Sequence, residues 1–163
     1  MVIQYNRESA INYAKTWAYK RNPKFYDFSN LGGDCTNFVS QCIYNGVFIM
    51  NYTPTYGWYY NSINDRTASW TGVKYFYEFI TKNYNNVGNG NGPFGIAVTK
   101  NDIEIGDVIQ LGVNGEFKHS AIVVGFDYET PLVATHSNDA FNKPLTAFNF
   151  DEFRYIHRLG ARK

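Results

Sequence analysis

The apolar residues of this chain change their period near residue 90, and that change limits the folds available to it. Before it, they recur at helical spacing. Asn6 can cap a helix over about residues 7–20, with Ile11, Ala14, Trp17 and Ala18 on one face, and Asn22-Pro23 ends it. A second helix runs from Cys35 to Gly46 with Phe38, Val39, Cys42 and Ile43 as its stripe. Ser69 or Thr71 can start a third, through Val73, Phe76, Tyr77 and Ile80 to about Tyr84. The Asn/Gly-rich stretch at 85–92 then breaks the pattern, and short β-type segments follow at 107–111, 119–126, 132–136 and 153–159. Residues 127–131 read as a hairpin connection between two of them. Helices first and an antiparallel sheet second make an α+β fold.

With 163 residues, the chain is expected to form a single domain over 1–163. A formal net charge of +1 offers no footprint for nucleic acid. No run is apolar enough to span a membrane, and Met1–Asn6 lacks the pattern of a signal peptide. The expected state is a monomer, and any exported role would belong to a longer chain. Aromatic residues are the compositional outlier at 18%. They crowd the irregular stretch 47–69, where Tyr56-Gly57-Trp58-Tyr59-Tyr60 sits in a long loop. Trp58, Tyr59 and Trp70 are candidate walls of a substrate groove, because partly exposed aromatics make platforms for sugars and peptides.

Cys35 is placed to react. It stands at the mouth of the second helix, where unpaired backbone N–H groups and the helix dipole favour a thiolate. Cys42 lies seven residues on, about 10.5 Å along a helix, too far for a disulfide to Cys35. It reads as a buried core thiol. A thiol nucleophile needs a base, and the base needs a group that fixes its tautomer. His119 begins a β segment and is the candidate base. His136 or Asn138, at the end of the next segment and on one side by strand alternation, are the candidate orienting groups. His157, beside Arg154 and Arg158, reads as structural. The Cys and His spacings fit no zinc pattern, so neither metal nor cofactor is expected.

Several of these motifs resemble known ones. Asp34-Cys35-Thr36-Asn37-Phe38-Val39 resembles the Asp-Cys-Ser-Gly-Phe-Val signature of NlpC-like bacterial cell-wall peptidases. Ile105-Gly106-Asp107-Val108-Ile109-Gln110 is similar to their Pro-Gly-Asp-Leu strand, and residues 119–125 to their His-Val-Gly-Ile-Tyr strand. Asn-Tyr-Ala-Lys at 12–15, Gly-Gly-Asp-Cys-Thr-Asn-Phe-Val-Ser-Gln at 32–41 and His-Ser-Ala-Ile-Val at 119–123 are similar to the bacterial putative amidase domain family, papain-like and related to the CHAP amidases.

That resemblance implies a papain-like fold with the nucleophile helix packed on the sheet. It implies Cys35 as nucleophile, His119 as base and His136, or alternatively Asn138, as third member. The implied reaction is amide hydrolysis through a thioester on a peptide or peptidoglycan-like substrate, exported or at the cell wall. Asp34 reads either as a contact to a substrate amine or as a helix cap. Asn37, where the peptidase signature has glycine, suggests a different substrate pocket. Two other readings stand beside the hydrolase: a catalytically inactive glycan- or peptide-binding module of the same fold, and a papain-like acyltransferase.

Overall fold

The fold is seen in a computed structural model that describes residues 1–85 and 90–163. Its helices are α1 (Arg7–Trp17), α2 (Cys35–Val47), α3 (Ala68–Thr71) and α4 (Val73–Asn85). Its strands are β1 (Val2–Gln4), β2 (Tyr60–Ser62), β3 (Asp65–Arg66), β4 (Gly92–Val98), β5 (Val108–Val113), β6 (Glu116–Asp127), β7 (Thr130–Thr135), β8 (Ala140–Pro144) and β9 (Glu152–Arg162). This is an α+β chain with a curled antiparallel sheet, ordered β1-β9-β5-β6-β7-β8, with β4 on the other side of β9.

Local signals account for the helices. The Asn6 side chain accepts from the Ser9 N–H, 3.0 Å away, and so caps α1. The helix ends at Trp17, three residues earlier than the spacing suggests. Gly72, with extended backbone, separates the single turn of α3 from α4, so the expected third helix is really two. The loop at 47–69 is not wholly irregular: β2 and β3 form a small ribbon within it. Residues 86–89 of the Asn/Gly-rich boundary lie outside the described residues.

The sheet carries a core on each face. Val108, Ile122, Ala134 and Ile156 face the helices and pack with Phe38, Val39, Cys42 and Ile43 of α2. The alternating residues Ile109, Leu111, Ala121, Val123 and Val133 face the other way, against Leu145, Phe148 and Phe150 from the segment before β9. Pairing of Ile122 with Ala134 sets the register of β6 on β7 and therefore which neighbours face α2.

Candidate active site

The chain reaches α2 through Gly32 and Gly33, at φ +85° and +103°. Side chains rarely adopt that conformation, so the turn favours glycine here. Asp34 takes the N-cap position without making a side-chain cap bond. Its carboxylate turns inward, is fully buried, and accepts from the Phe28 N–H at 2.8 Å, from Asn37 Nδ2 at 2.8 Å and from His136 Nδ1 at 2.5 Å. Arg21 Nε lies 3.6 Å away.

With no cap in place, the first turn keeps its N–H groups. Cys35 is only 7% exposed. Its thiol lies 3.8 Å from the Thr36 hydroxyl, and the backbone N–H groups of Ser120 in β6 and of Thr36 act on it. Burial nevertheless pushes the thiol above its ordinary pKa, with the neighbouring Asp34 charge adding to the rise and those donors opposing it. Helix-mouth position alone suggests a thiolate; desolvation outweighs it.

Thr36 also joins a buried polar chain. Its hydroxyl lies 2.9 Å from Ser120 Oγ, which accepts from Gln110 Nε2 at 3.1 Å. Arg154 Nε donates to Gln110 Oε1 at 2.8 Å while its guanidinium lies against the Tyr77 and Phe117 rings.

His119 is 8% exposed and stands one residue from Ser120. Its Nε2 meets Thr135 Oγ1 at 2.7 Å, and its ring stacks on Phe150. The Thr135 hydroxyl has two carbonyl acceptors, His136 O at 2.7 Å and Ser120 O at 3.3 Å. Where that proton goes to one of them, Oγ1 accepts from Nε2–H and the free lone pair lies on Nδ1. Burial, helped by the positive charge of Lys143, lowers His119 to about 4. Among the described residues no hydrogen bond joins the imidazole to the Cys35 sulfur.

A family described as a putative amidase domain matches residues 4–157. The chain belongs to that family. The uncharacterized protein YhbB of Bacillus subtilis (strain 168) is 30% identical to this amidase domain over 147 residues. The match spans 85% of this chain and 43% of the relative, so the chain covers less than half of that protein's length. No solved structure matches.

Within this amidase domain several expected site residues have other duties. His136 is not at His119. Both its nitrogens are committed, Nδ1 to Asp34 and Nε2 at 2.8 Å to the Trp17 carbonyl, and its ring stacks on Phe38. Asn138 is exposed and, with Ser137, has positive φ (62° and 66°), as the type I′ turn of the β7–β8 hairpin requires. The residue beside His119 is Thr135, which the sequence reading missed.

Trp58 and Trp70 are fully buried in the helix-side core, their rings 4.4 Å apart, and cannot wall a groove. Tyr59 is half-buried, and its hydroxyl bonds Asp65 at the surface. Asn37 does not shape a pocket either. It is buried, accepts from Trp70 Nε1 and donates to the Tyr26 carbonyl. Asp34 makes no side-chain cap bond and is fully buried under its own donors. His157 bonds Asp107 at 2.6 Å.

Proposed function

We propose that this domain hydrolyses an amide through a thioester on Cys35, with His119 as base and a papain-like relation between helix and sheet. The observation that carries the reading is a cysteine at the start of α2 whose thiol is acted on by the backbone N–H groups of Thr36 and of Ser120, the residue next to His119. In the resting site Thr135 is the hydrogen-bond partner of that imidazole at Nε2. Because burial favours both neutral forms, the resting pair is thiol and imidazole, not an ion pair.

Proton transfer from Sγ to the imidazole therefore accompanies attack on the carbonyl carbon, once His119 leaves Thr135 and Phe150 and turns to the sulfur. The resulting oxyanion is stabilised by first-turn N–H groups of α2, each worth about 3 kcal/mol at a well-placed site. His119 returns the proton to the departing amine. It then takes one from water, which cleaves the thioester and restores the thiol. Membership in the amidase family supports the bond class; peptidoglycan as substrate and a location at the cell wall extend the proposal by motif resemblance.

The test is to incubate purified protein with bacterial cell-wall sacculi and with simple peptide amides in ¹⁸O-water, following amine release and label in the new carboxyl group. Release with label, lost in Cys35→Ala and His119→Ala and kept in Cys42→Ala, is expected. Release that survives Cys35→Ala overturns the mechanism. A second reading, a binding module with a quiescent thiol, draws on the missing Cys35–His119 hydrogen bond. It is favoured if saturable sacculus binding occurs with no release.

A further inference from the structure

A groove of about 460 Å³ lies between the 51–57 loop, α3 and α4, lined by none of the residues around Cys35. Its size falls within the roughly 300–1,000 Å³ typical of ligand sites. We propose that it binds a neutral oligosaccharide, at a site separate from the thiol.

The floor is built rigidly. Asn51 and Trp58 exchange both backbone hydrogen bonds, at 2.9 and 2.8 Å, across the base of the loop. Ser69 Oγ ties α3 to the Gly57 carbonyl at 2.6 Å. Gly57 has no room for a Cβ, which would collide with the Asn51 and Thr53 carbonyls. At the tip, Thr55 has φ +67°, and the Tyr56 N–H returns to the Pro54 carbonyl at 2.8 Å. Such a tight turn around a β-branched residue is strained. Its effect is to project Tyr56 at the rim, 84% exposed. Tyr75, on α4, presents a second ring at 51% exposure. Tyr56, and the face of Tyr75 opposite the Lys74 ammonium 5.9 Å from its ring centre, offer apolar surface for the C–H face of a sugar ring.

The polar groups suit hydroxyls. Asn83 is 5% exposed and gives its amide N–H₂ to three carbonyls, of Asn91, Gly92 and Pro93. Its Oδ1 takes no hydrogen bond among the described residues and remains an acceptor on the groove wall. Glu78 and Lys82, one turn apart on α4, also line the groove and form no ion pair with each other. One carboxylate with one ammonium gives no net charge, which disfavours an anionic ligand, and the Asn, Ser and Thr lining disfavours a purely apolar one. Aromatic faces with neutral and oppositely charged hydrogen-bonding groups fit an uncharged, hydroxyl-rich chain.

The test is an NMR titration of the ¹⁵N-labelled full chain with cellotetraose and with chitotetraose, repeated on Tyr56→Ala, Tyr75→Ala, Glu78→Gln and Cys35→Ala. Saturable shifts of the Glu78 and Asn83 amides with at least one sugar are expected. Each tyrosine variant, folded by its spectrum, should weaken binding about five- to tenfold. Cys35→Ala should bind as the wild type, so this proposal and the thiol mechanism fail independently. No shifts at millimolar sugar, or shifts indifferent to both tyrosines, would overturn it. So would saturation of the groove by a cell-wall stem peptide but by neither sugar.

Discussion

Thr135 Oγ1 lies 2.7 Å from His119 Nε2 and is the hydrogen-bond partner of that edge of the imidazole. If His119 is the base, Thr135 is its positioning residue. Thr135→Val removes the acceptor, and the rate of amine release should fall about 10²-fold with little change in KM. Thr135→Ser keeps the hydroxyl and should restore most of the rate. Asn138→Ala, in an exposed turn, should leave kinetics unchanged. A Thr135→Val enzyme with full kcat would show that the imidazole needs no such partner.

Asp34 and His136 form a buried pair under the start of α2. Removing the carboxylate strands the Phe28 N–H, the Asn37 amide and the His136 ring together. Asp34→Ala should cost about 3–5 kcal/mol in urea unfolding, as breaking a buried charged network does. A role in gripping a substrate amine predicts something else: unchanged stability with a raised KM. Denaturation midpoints of Asp34→Ala and His136→Ala separate the two.

These residues also show what could be read from the chain. The caps and stripes of α1 and α2 depend on neighbours within four residues, so Asn6 and the Phe38–Ile43 stripe were legible. Strands β1 and β4 were not, because their pairing is set by a distant partner, β9, and β8 was missed although it forms a local hairpin with β7. The third site residue failed on parity. Strand alternation was extended past the end of β7 to Asn138, which lies in a turn, and only the Ile122–Ala134 register shows that His136 is on the Asp34 side while Thr135 faces His119. A one-residue change of register exchanges the two faces. Likewise an aromatic cluster in a loop signals surface only if nothing covers it. Trp58 and Trp70 sit beneath their loop and complete the core against Phe38 and Ile43.

The chain Thr36–Ser120–Gln110–Arg154 gives the sulfur a tunable surrounding. Thr36→Val removes one donor to Cys35, so its thiol should rise further and its alkylation by iodoacetamide at pH 8 should slow several-fold relative to wild type. Cys42, fully buried, serves as the unreactive control in the same peptide map. Gln110→Leu leaves Arg154 Nε and Ser120 Oγ without that partner and should cost about 1–3 kcal/mol of stability. Equal labelling rates for wild type and Thr36→Val would mean that the hydroxyl does not reach the sulfur in solution.

The imidazole of His119 makes the fold acid-sensitive in a definite window. Its pKa is lowered from 6.5 to about 4 in the folded chain, chiefly by burial. Between those values the unfolded chain binds a proton that the folded chain refuses, so stability rises with pH there. The contribution is complete above about pH 6.5 and is lost as the pH falls to about 4. Two and a half pKa steps correspond to about 3 kcal/mol. His119→Gln cannot titrate, so its stability should fall by about 3 kcal/mol less than that of the wild type over the same range. His136, His157 and the carboxylates are common to both proteins and cancel in the difference between their urea-unfolding curves at pH 7, 5.5 and 4. Parallel curves would show that His119 protonates in the folded state near its ordinary pKa. The imidazole would then be better hydrated than its place beside Phe148 and Phe150 implies.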